Sequence, residues 1–217
     1  MTVTPAERRR ARTILDRLRR RYPVIRTALG YADPWQLLVA TVLSAQTTDD
    51  TVNRVTPELF RRWPSPRLLA QANPEEVESV VFSTGFYRQK TRAVIELSAD
   101  LADRFSGIVP DDLERLVTLK GVGRKTASVV LAEAFGLPAI AVDTHVSRVS
   151  RRLGLVADGN PVKVEAALKE LYPEAKWPGI SMRFIQFGRD TCIARRPRCP
   201  ECILRDRCPY PDKTVGA

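Results

Sequence analysis

The sequence predicts an all-α protein. Helix starts recur as a capping residue followed by Pro, which suits the first helical position. Apolar residues between these starts repeat at helical spacing, which favours about ten helices joined by short loops. The apolar run 139–142 is too short to carry a sheet. The capped starts are Thr4-Pro5, Asp33-Pro34, Ser65-Pro66, Asn73-Pro74 and Asn160-Pro161.

Length and charge narrow the class of protein. A chain of 217 residues with 44% hydrophobic residues can bury a core as one large domain or two small ones. The formal net charge of +10 favours a polyanionic partner, of which nucleic acid is the usual one. No apolar run reaches the ~20 residues of a membrane span, and the start lacks the apolar core of a secretory signal. We expect a cytoplasmic protein.

The Arg-rich segment 4–22 has the composition of a mitochondrial presequence. However, Thr4 and Glu7 have the spacing of a capping box, with Pro5 at the first helical position. Four apolar residues then follow at helical spacing. We interpret the segment as a structural helix. The stripe consists of Ile14, Leu15, Leu18 and Tyr22.

Residues 32–46 are nearly all apolar, which predicts a central buried helix. Small and polar residues crowd its end, and a second helix is expected to begin between Thr47 and Asp50. Gln46 lies at this junction. By itself it is either a solvated helix end or a binding residue.

Residues 75–105 predict a helix, a turn at Gly85 and Phe86, and a long helix. An aromatic residue beside such a turn either belongs to the core or, when exposed, can enter between bases and unstack them. Arg88 and Lys90 follow the turn, where they either contact phosphates or are solvated.

The stretch 116–154 reads as helix, Gly-rich turn, helix, connection and helix. Gly121, Val122 and Gly123 precede Arg124 and Lys125, so backbone amides and a helix N-terminus can approach a phosphate. The spacing is not that of a P-loop. The positive end of the helix dipole favours a neutral, nucleophilic lysine amine.

A second helix start is predicted at Asp143, which precedes Thr144 and His145. An aspartate at this position is either an N-cap alone or an ionised acceptor with a chemical role.

Four cysteines lie within residues 192–208 with the spacing C-x6-C-x2-C-x5-C. Two disulfides are disfavoured, because the chain has no secretion signal and cytosolic thiols stay reduced. Four thiolates fit one metal site, and ligand chemistry alone leaves zinc and an iron–sulfur cluster open. The cysteines are Cys192, Cys199, Cys202 and Cys208.

The loop between the first two cysteines carries Arg195, Arg196 and Arg198. Pinned at both ends by a metal site, such a loop presents guanidinium groups to phosphates without reading base sequence. The alternative is a solvated loop. Residues 209–217 are expected to form a loose tail.

Three segments together resemble the endonuclease III family of DNA glycosylases. They are LSAQTTD at residues 43–49, LKGVGRKTA at 119–127 with VDTH at 142–145, and the cysteine spacing. The likeness extends from about residue 28 to Cys208. Lys120 stands where the family commonly has proline, and Ser128 where it often has asparagine. These departures remove no catalytic group.

The resemblance implies two helical domains with a DNA cleft between them. A six-helix barrel containing a helix-hairpin-helix would span residues 27–137. An iron–sulfur domain would combine residues 1–26 and 138–217, with a [4Fe–4S] cluster on the four cysteines. Lys125 and Asp143 would face each other across the mouth of the cleft.

The resemblance also implies residue roles. Lys125 would attack the sugar C1′, assisted by Asp143. The hairpin residues Gly121 to Arg124, together with His145, would contact DNA. Gln46 would enter the space of the flipped nucleotide, and Phe86 would act as a wedge.

The implied activity is that of a bifunctional glycosylase and AP lyase, a monomer acting on double-stranded DNA with damaged bases or abasic sites. The resemblance further implies a bacterial protein associated with the nucleoid. Oxidised pyrimidines would be removed through a lysine Schiff base, and β-elimination would nick the strand. An adenine-mismatch glycosylase is disfavoured, since that reading predicts no lysine at position 125 and a further C-terminal domain. A non-catalytic or weakly active iron–sulfur DNA-binding paralogue is the other alternative.

Overall fold

A computed structural model describes residues 3–215 of the chain. In this range the chain forms eleven α-helices and three short 3-10 turns, with no β-strand. The predicted all-α class is therefore confirmed. Within the same range no helix is long and apolar enough to cross a membrane.

The helices are numbered in chain order. They are α1 Pro5–Arg21, α2 Pro34–Leu43, α3 Asp49–Arg62, α4 Pro66–Ala70, α5 Pro74–Val81, α6 Tyr87–Arg104, α7 Leu113–Leu116, α8 Arg124–Ala134, α9 Thr144–Arg152, α10 Pro161–Leu171 and α11 Ile180–Asp190.

All five predicted Pro-containing helix starts are present. In each, the capping side chain accepts a hydrogen bond from a backbone amide in the first turn, and Pro lies at the start of the helix. Thr4 and Glu7 form the predicted reciprocal capping box. Segment 4–22 is thus a structural helix, as its sequence indicates.

The chain divides into two compact units. One spans Thr27–Leu137, and the other joins the segment ending at Arg26 to the segment beginning at Pro138. The second unit is therefore built from both ends of the chain.

In the unit Thr27–Leu137, α2 is the central helix. It packs against α3, α6 and α8, and seven of its ten residues are buried. It ends at Leu43, three residues earlier than its composition predicts, because the backbone turns through residues 44–47 and Gln46 adopts a left-handed conformation (φ 55°). This leaves Gln46 exposed on a turn.

In the other unit, α1 packs against α10 and α11, and α9 packs against α10 and α11. The close approach of α9 and α11 depends on Gly188. A Cβ at this position would lie 3.2 Å from the Cβ of His145 and 3.1 Å from Nη2 of Arg148.

The tail beyond Cys208 contacts the protein at Tyr210 and Thr214, so the predicted loose tail is wrong for residues 209–214. Thr214 accepts a hydrogen bond from the amide of Cys199 at 3.2 Å and donates to the carbonyl of Pro197. The guanidinium of Arg152 lies 4.6 Å from the ring centroid of Tyr210. Residues 216 and 217 lie outside the described residues.

Candidate functional site

The Gly-rich turn runs between α7 and α8. Gly121 has φ +73°, and a Cβ there would lie 3.0 Å from the Cβ of Ala93, so both backbone and packing require glycine. Val122 is buried and its amide donates to the carbonyl of Leu119 at 3.1 Å. Val122 therefore anchors the turn in the core, and its side chain does not face a ligand.

Gly123 differs from Gly121, because nothing in the fold requires it to be glycine. Its φ of −88° is open to any residue, and a Cβ would meet no atom within 4 Å. Gly123 is the N-cap of α8, and no side chain caps this helix. An uncapped helix N-terminus with open space beside its glycine is an arrangement that can bind phosphate.

Lys125 lies in the first turn of α8, one residue after Arg124, and its side chain is exposed. The structure thus places Lys125 beside the open helix N-terminus. A phosphate bound at the amides of α8 would bring the adjoining sugar close to the amine of Lys125.

Asp143 caps α9. Its Oδ1 accepts the amide of Val146 at 2.7 Å, and its Oδ2 lies 3.1 Å from Nδ1 of His145. The Asp143 side chain is 16% exposed and that of His145 is 29% exposed. The carboxylate is therefore fixed in orientation yet still reaches solvent, and the N-cap and chemical readings of Asp143 are compatible.

Two arginines of α9 hold the segment around Cys192. Arg148 donates to the carbonyls of Gly188 at 2.9 Å and Cys192 at 3.2 Å. Arg152 donates to the carbonyls of Ile193 and Ala194, each at 2.7 Å. The helix that begins at Asp143 is thus tied to the cysteine segment by its last two turns.

The four cysteines are free thiols of intermediate burial that line one small cavity, together with Leu153, Phe187 and Tyr210. Nη1 of Arg152 lies 3.6 Å from Sγ of Cys192, and the amide of Leu204 lies 3.4 Å from Sγ of Cys202. Such N–H donors are typical partners of metal-bound thiolates.

Burial raises the pKa of the Cys192 and Cys202 thiols. Metal binding at these sulfurs therefore has to displace protons. In the part of the chain that the structure describes, no three or more His, Cys, Asp or Glu side chains form a group that could hold a metal ion. The four cysteines nevertheless line one cavity, and their sulfurs, once deprotonated, are the donor set that an iron–sulfur cluster takes.

The three loop arginines Arg195, Arg196 and Arg198 are exposed. The amide of Arg198 donates to the carbonyl of Thr191 at 2.8 Å, and Pro197 is buried. The loop therefore has a fixed backbone that presents cationic side chains to solvent.

Gln46 and Phe86 share an unusual backbone state. Within residues 3–215, the non-glycine residues with positive φ are Gln46, Phe86 and Ser106. Phe86 is 65% exposed. Left-handed conformations of non-glycine residues are unfavourable and cluster at functional positions. The structure thus exposes both residues on strained turns.

The structure corrects the predicted environment of Lys90. This lysine was expected either to contact phosphates or to be solvated, but it is 5% exposed and its Nζ donates to the carbonyl of Thr84 at 2.7 Å. Arg88 is exposed, and its Nε lies 3.7 Å from Oε2 of Glu78. Helical periodicity could have placed Lys90 on the inner face of α6, since it shares that face with Val94, Leu97 and Leu101.

The sequence alone does not indicate the structural roles of Arg148, Arg152 and Gly188. A basic helix end and a glycine within a helix are ordinary local features. Their partners lie 40 or more residues away along the chain for Arg148 and Arg152, and no local pattern reports such contacts.

Comparison with known proteins defines the class to which this site belongs. Residues 39–174 match the family model of the HhH-GPD superfamily of base excision DNA repair proteins. The chain is 46% identical to endonuclease III of Synechocystis over 94% of each chain, and 44% identical to endonuclease III of Bacillus subtilis over 89% of each.

A solved structure described as a trapped endonuclease III–DNA covalent intermediate superposes with a TM-score of 0.89 at 42% identity, over 96% of this chain and 97% of the other. The chain therefore belongs to the endonuclease III family. The predicted family and enzyme class, a DNA glycosylase with AP lyase activity in base excision repair, are confirmed.

Proposed function

We propose that this DNA glycosylase and AP lyase removes oxidised pyrimidines from double-stranded DNA, with Lys125 as the nucleophile. The observation that carries the proposal is the exposed amine of Lys125 in the first turn of α8, a helix whose N-terminus has no side-chain cap. A relative is described as trapped in a covalent complex with DNA. A covalent step through a Schiff base requires such an amine.

In the proposed reaction the Nζ–C1′ bond forms as the bond from C1′ to the damaged base breaks. Opening of the sugar ring at O4′, which takes up a proton, yields a Schiff base. Loss of a proton from C2′ then breaks the bond from C3′ to its oxygen and nicks the strand by β-elimination. Asp143 assists by accepting a proton or by stabilising positive charge on the sugar.

The remaining proposed roles concern DNA binding. The α8 amides and Gly123 hold a phosphate, Arg124 and His145 contact the adjoining backbone, and the loop arginines Arg195, Arg196 and Arg198 position the duplex. Gln46 and Phe86 contact the bases around the flipped nucleotide, where unstacking is the cost of the step.

Family membership indicates an iron–sulfur cluster, and we propose the [4Fe–4S] type on Cys192, Cys199, Cys202 and Cys208. When bound, such a cluster would pin the arginine loop at both ends. An absorption spectrum and iron and sulfide analysis test this: a brown protein with four iron and four sulfide per chain is expected. A colourless protein with one zinc would contradict it.

Borohydride trapping tests the proposed nucleophile. Wild-type protein is expected to form a covalent adduct with duplexes containing thymine glycol or an abasic site, and Lys125→Ala to form none. Lys120→Ala is the matched control, because it removes another exposed lysine five residues earlier. Full trapping by Lys125→Ala would show that the nucleophile is wrongly assigned, and no trapping by wild-type protein would overturn the lyase reaction.

A further inference from the structure

Lys90 is a buried cation that the proposed reaction does not use. The residue is 5% exposed within the unit Thr27–Leu137, and desolvation lowers the pKa of its ammonium group. Burying an ammonium group is costly when no carboxylate neutralises it. An apolar side chain would fill the inner face of α6 at lower cost, so the burial of Lys90 needs another explanation.

The contacts of Lys90 bracket the Phe86 turn from both sides. Its Nζ donates to the carbonyl of Thr84 at 2.7 Å, two residues before Phe86. Its backbone amide donates to the carbonyl of Phe86 itself at 3.1 Å. Thr84 is in turn fixed by a hydrogen bond from its hydroxyl to the carbonyl of Val81 at 2.8 Å. The turn is therefore held before Phe86 by the Lys90 side chain and after it by the first backbone hydrogen bond of α6.

The turn held in this way is strained. Gly85 has φ +67° and Phe86 has φ 48°. Unlike asparagine or aspartate, phenylalanine cannot ease the left-handed conformation with a local side-chain hydrogen bond. Residues in such conformations persist when surrounding contacts over-determine them. The aromatic ring is 65% exposed at the tip of the turn, although burial would stabilise it. The exposed ring is thus supported from inside the protein.

We propose that Lys90 is a positioning residue that presents Phe86 to DNA in the geometry required to unstack bases at the lesion. The inference rests on the proposed function, because it assigns Phe86 to base unstacking. A preformed turn avoids ordering the ring during binding, and that ordering cost is otherwise subtracted from the interaction energy. Lys90 itself makes no contact with DNA in this proposal.

The test compares two lesions in the same duplex under single-turnover conditions with the complete, cluster-containing protein. Thymine glycol has to be extruded from the stack, whereas an abasic site has no base to extrude. Lys90→Met, which keeps the chain length and removes the donor, is expected to slow reaction at thymine glycol by about tenfold, equivalent to about 1.4 kcal/mol. At the abasic site the loss should be no more than about twofold.

Two further variants separate positioning from charge and from stability. Lys90→Arg, which keeps a donor, is expected to recover most of the rate at thymine glycol. Arg92→Met removes an exposed cation from the same helix and should affect both lesions equally. The double variant Phe86→Ala/Lys90→Met should be no slower than Phe86→Ala, since Lys90 acts through Phe86.

Equal losses at both lesions, or additive losses in the double variant, would overturn the proposal. If Lys90→Met does not fold, hydrogen exchange of wild-type protein over residues 83–90 decides: protection comparable to the middle of α6 supports a held turn, and exchange at the rate of an unstructured chain contradicts it. Borohydride trapping of wild-type protein on the abasic duplex distinguishes failure of the proposed function from failure of this inference. If wild-type protein forms no adduct, the proposed function is wrong. If it forms an adduct and Lys90→Met reacts with thymine glycol at the wild-type rate, only the role of Lys90 is wrong.

Discussion

Arg152 donates to the carbonyl oxygen of Ile193 at 2.7 Å, directly after the first cysteine. The same side chain reaches the carbonyl of Ala194 at 2.7 Å and stacks on Tyr210. A single side chain therefore joins the C-terminal end of α9, the start of the arginine loop and the C-terminal tail. Since Asp143 caps the N-terminus of α9, the orientation of its carboxylate and that of the loop depend on the same helix.

Arg152→Ala is expected to destabilise the cysteine segment by about 1–2 kcal/mol, because two hydrogen bonds from a charged donor are lost, one to the partly buried carbonyl of Ile193 and one to the exposed carbonyl of Ala194. We expect a lower thermal midpoint, faster loss of visible absorbance in the presence of a chelator, and weaker DNA binding. Arg151→Ala is the control, as it removes an adjacent exposed guanidinium. Identical behaviour of the two variants would contradict the role of Arg152.

The two glycines of the turn should respond differently to alanine. Gly121→Ala is expected to destabilise the protein by about 1–3 kcal/mol, because the new Cβ needs an unfavourable backbone conformation and approaches Ala93. Gly123→Ala should leave thermal stability unchanged, since its backbone is extended and the space around it is open.

The same pair tests phosphate binding. If a phosphate approaches the α8 amides closely, Gly123→Ala should weaken duplex binding by about tenfold or more while stability is preserved. Fluorescence anisotropy with an undamaged duplex at several salt concentrations measures this. Unchanged affinity of Gly123→Ala would show that the phosphate does not lie over Gly123.

Two substitutions of Asp143 separate its contribution to stability from its contribution to catalysis. Asn is a good N-cap, so Asp143→Asn should keep the thermal midpoint close to wild type, whereas Asp143→Ala should lose about 1 kcal/mol. Both variants lack the carboxylate and should excise bases much more slowly, by about two orders of magnitude if it serves as a proton acceptor. Retention of wild-type excision by Asp143→Asn would reduce Asp143 to a cap.

The alkaline stability of the protein should depend on Tyr22. Its hydroxyl donates to the carboxylate of Asp190, 2.7 Å from each oxygen. Burial is the main cause that raises the pKa of Tyr22, and this hydrogen bond is the second. The folded state thus retains a proton that the unfolded state loses near pH 10, so the stabilisation is present below about pH 10 and is lost as the pH rises further.

Thermal midpoints measured between pH 8 and pH 11 test this linkage. Tyr22→Phe should be less stable than wild type at pH 8 and should lose less stability between pH 9 and pH 11. Tyr172, whose pKa burial also raises, is common to both proteins and sets the remaining slope. Parallel curves for the two proteins would contradict the assignment to Tyr22.

Local chemistry in the sequence determined the fold class and most helix starts. A capping side chain followed by Pro satisfies the first amides of a helix within a few residues. Four helix starts could therefore be predicted without tertiary context, at Asp33, Ser65, Asn73 and Asn160. The segments around Lys125, Asp143 and the cysteines carry enough identity to indicate the family. These features depend on neighbours along the chain.

Only the tertiary structure decided how individual side chains are used. The burial of Lys90, the grip of Arg152 on the segment after Cys192, and the contrast between Gly121 and Gly123 depend on residues that are distant in sequence or on the sign of a backbone angle. A lysine after a turn looks the same in the sequence whether it faces solvent or the core. Packing determines which occurs, because the carbonyl that Lys90 meets is fixed by the path of the folded chain.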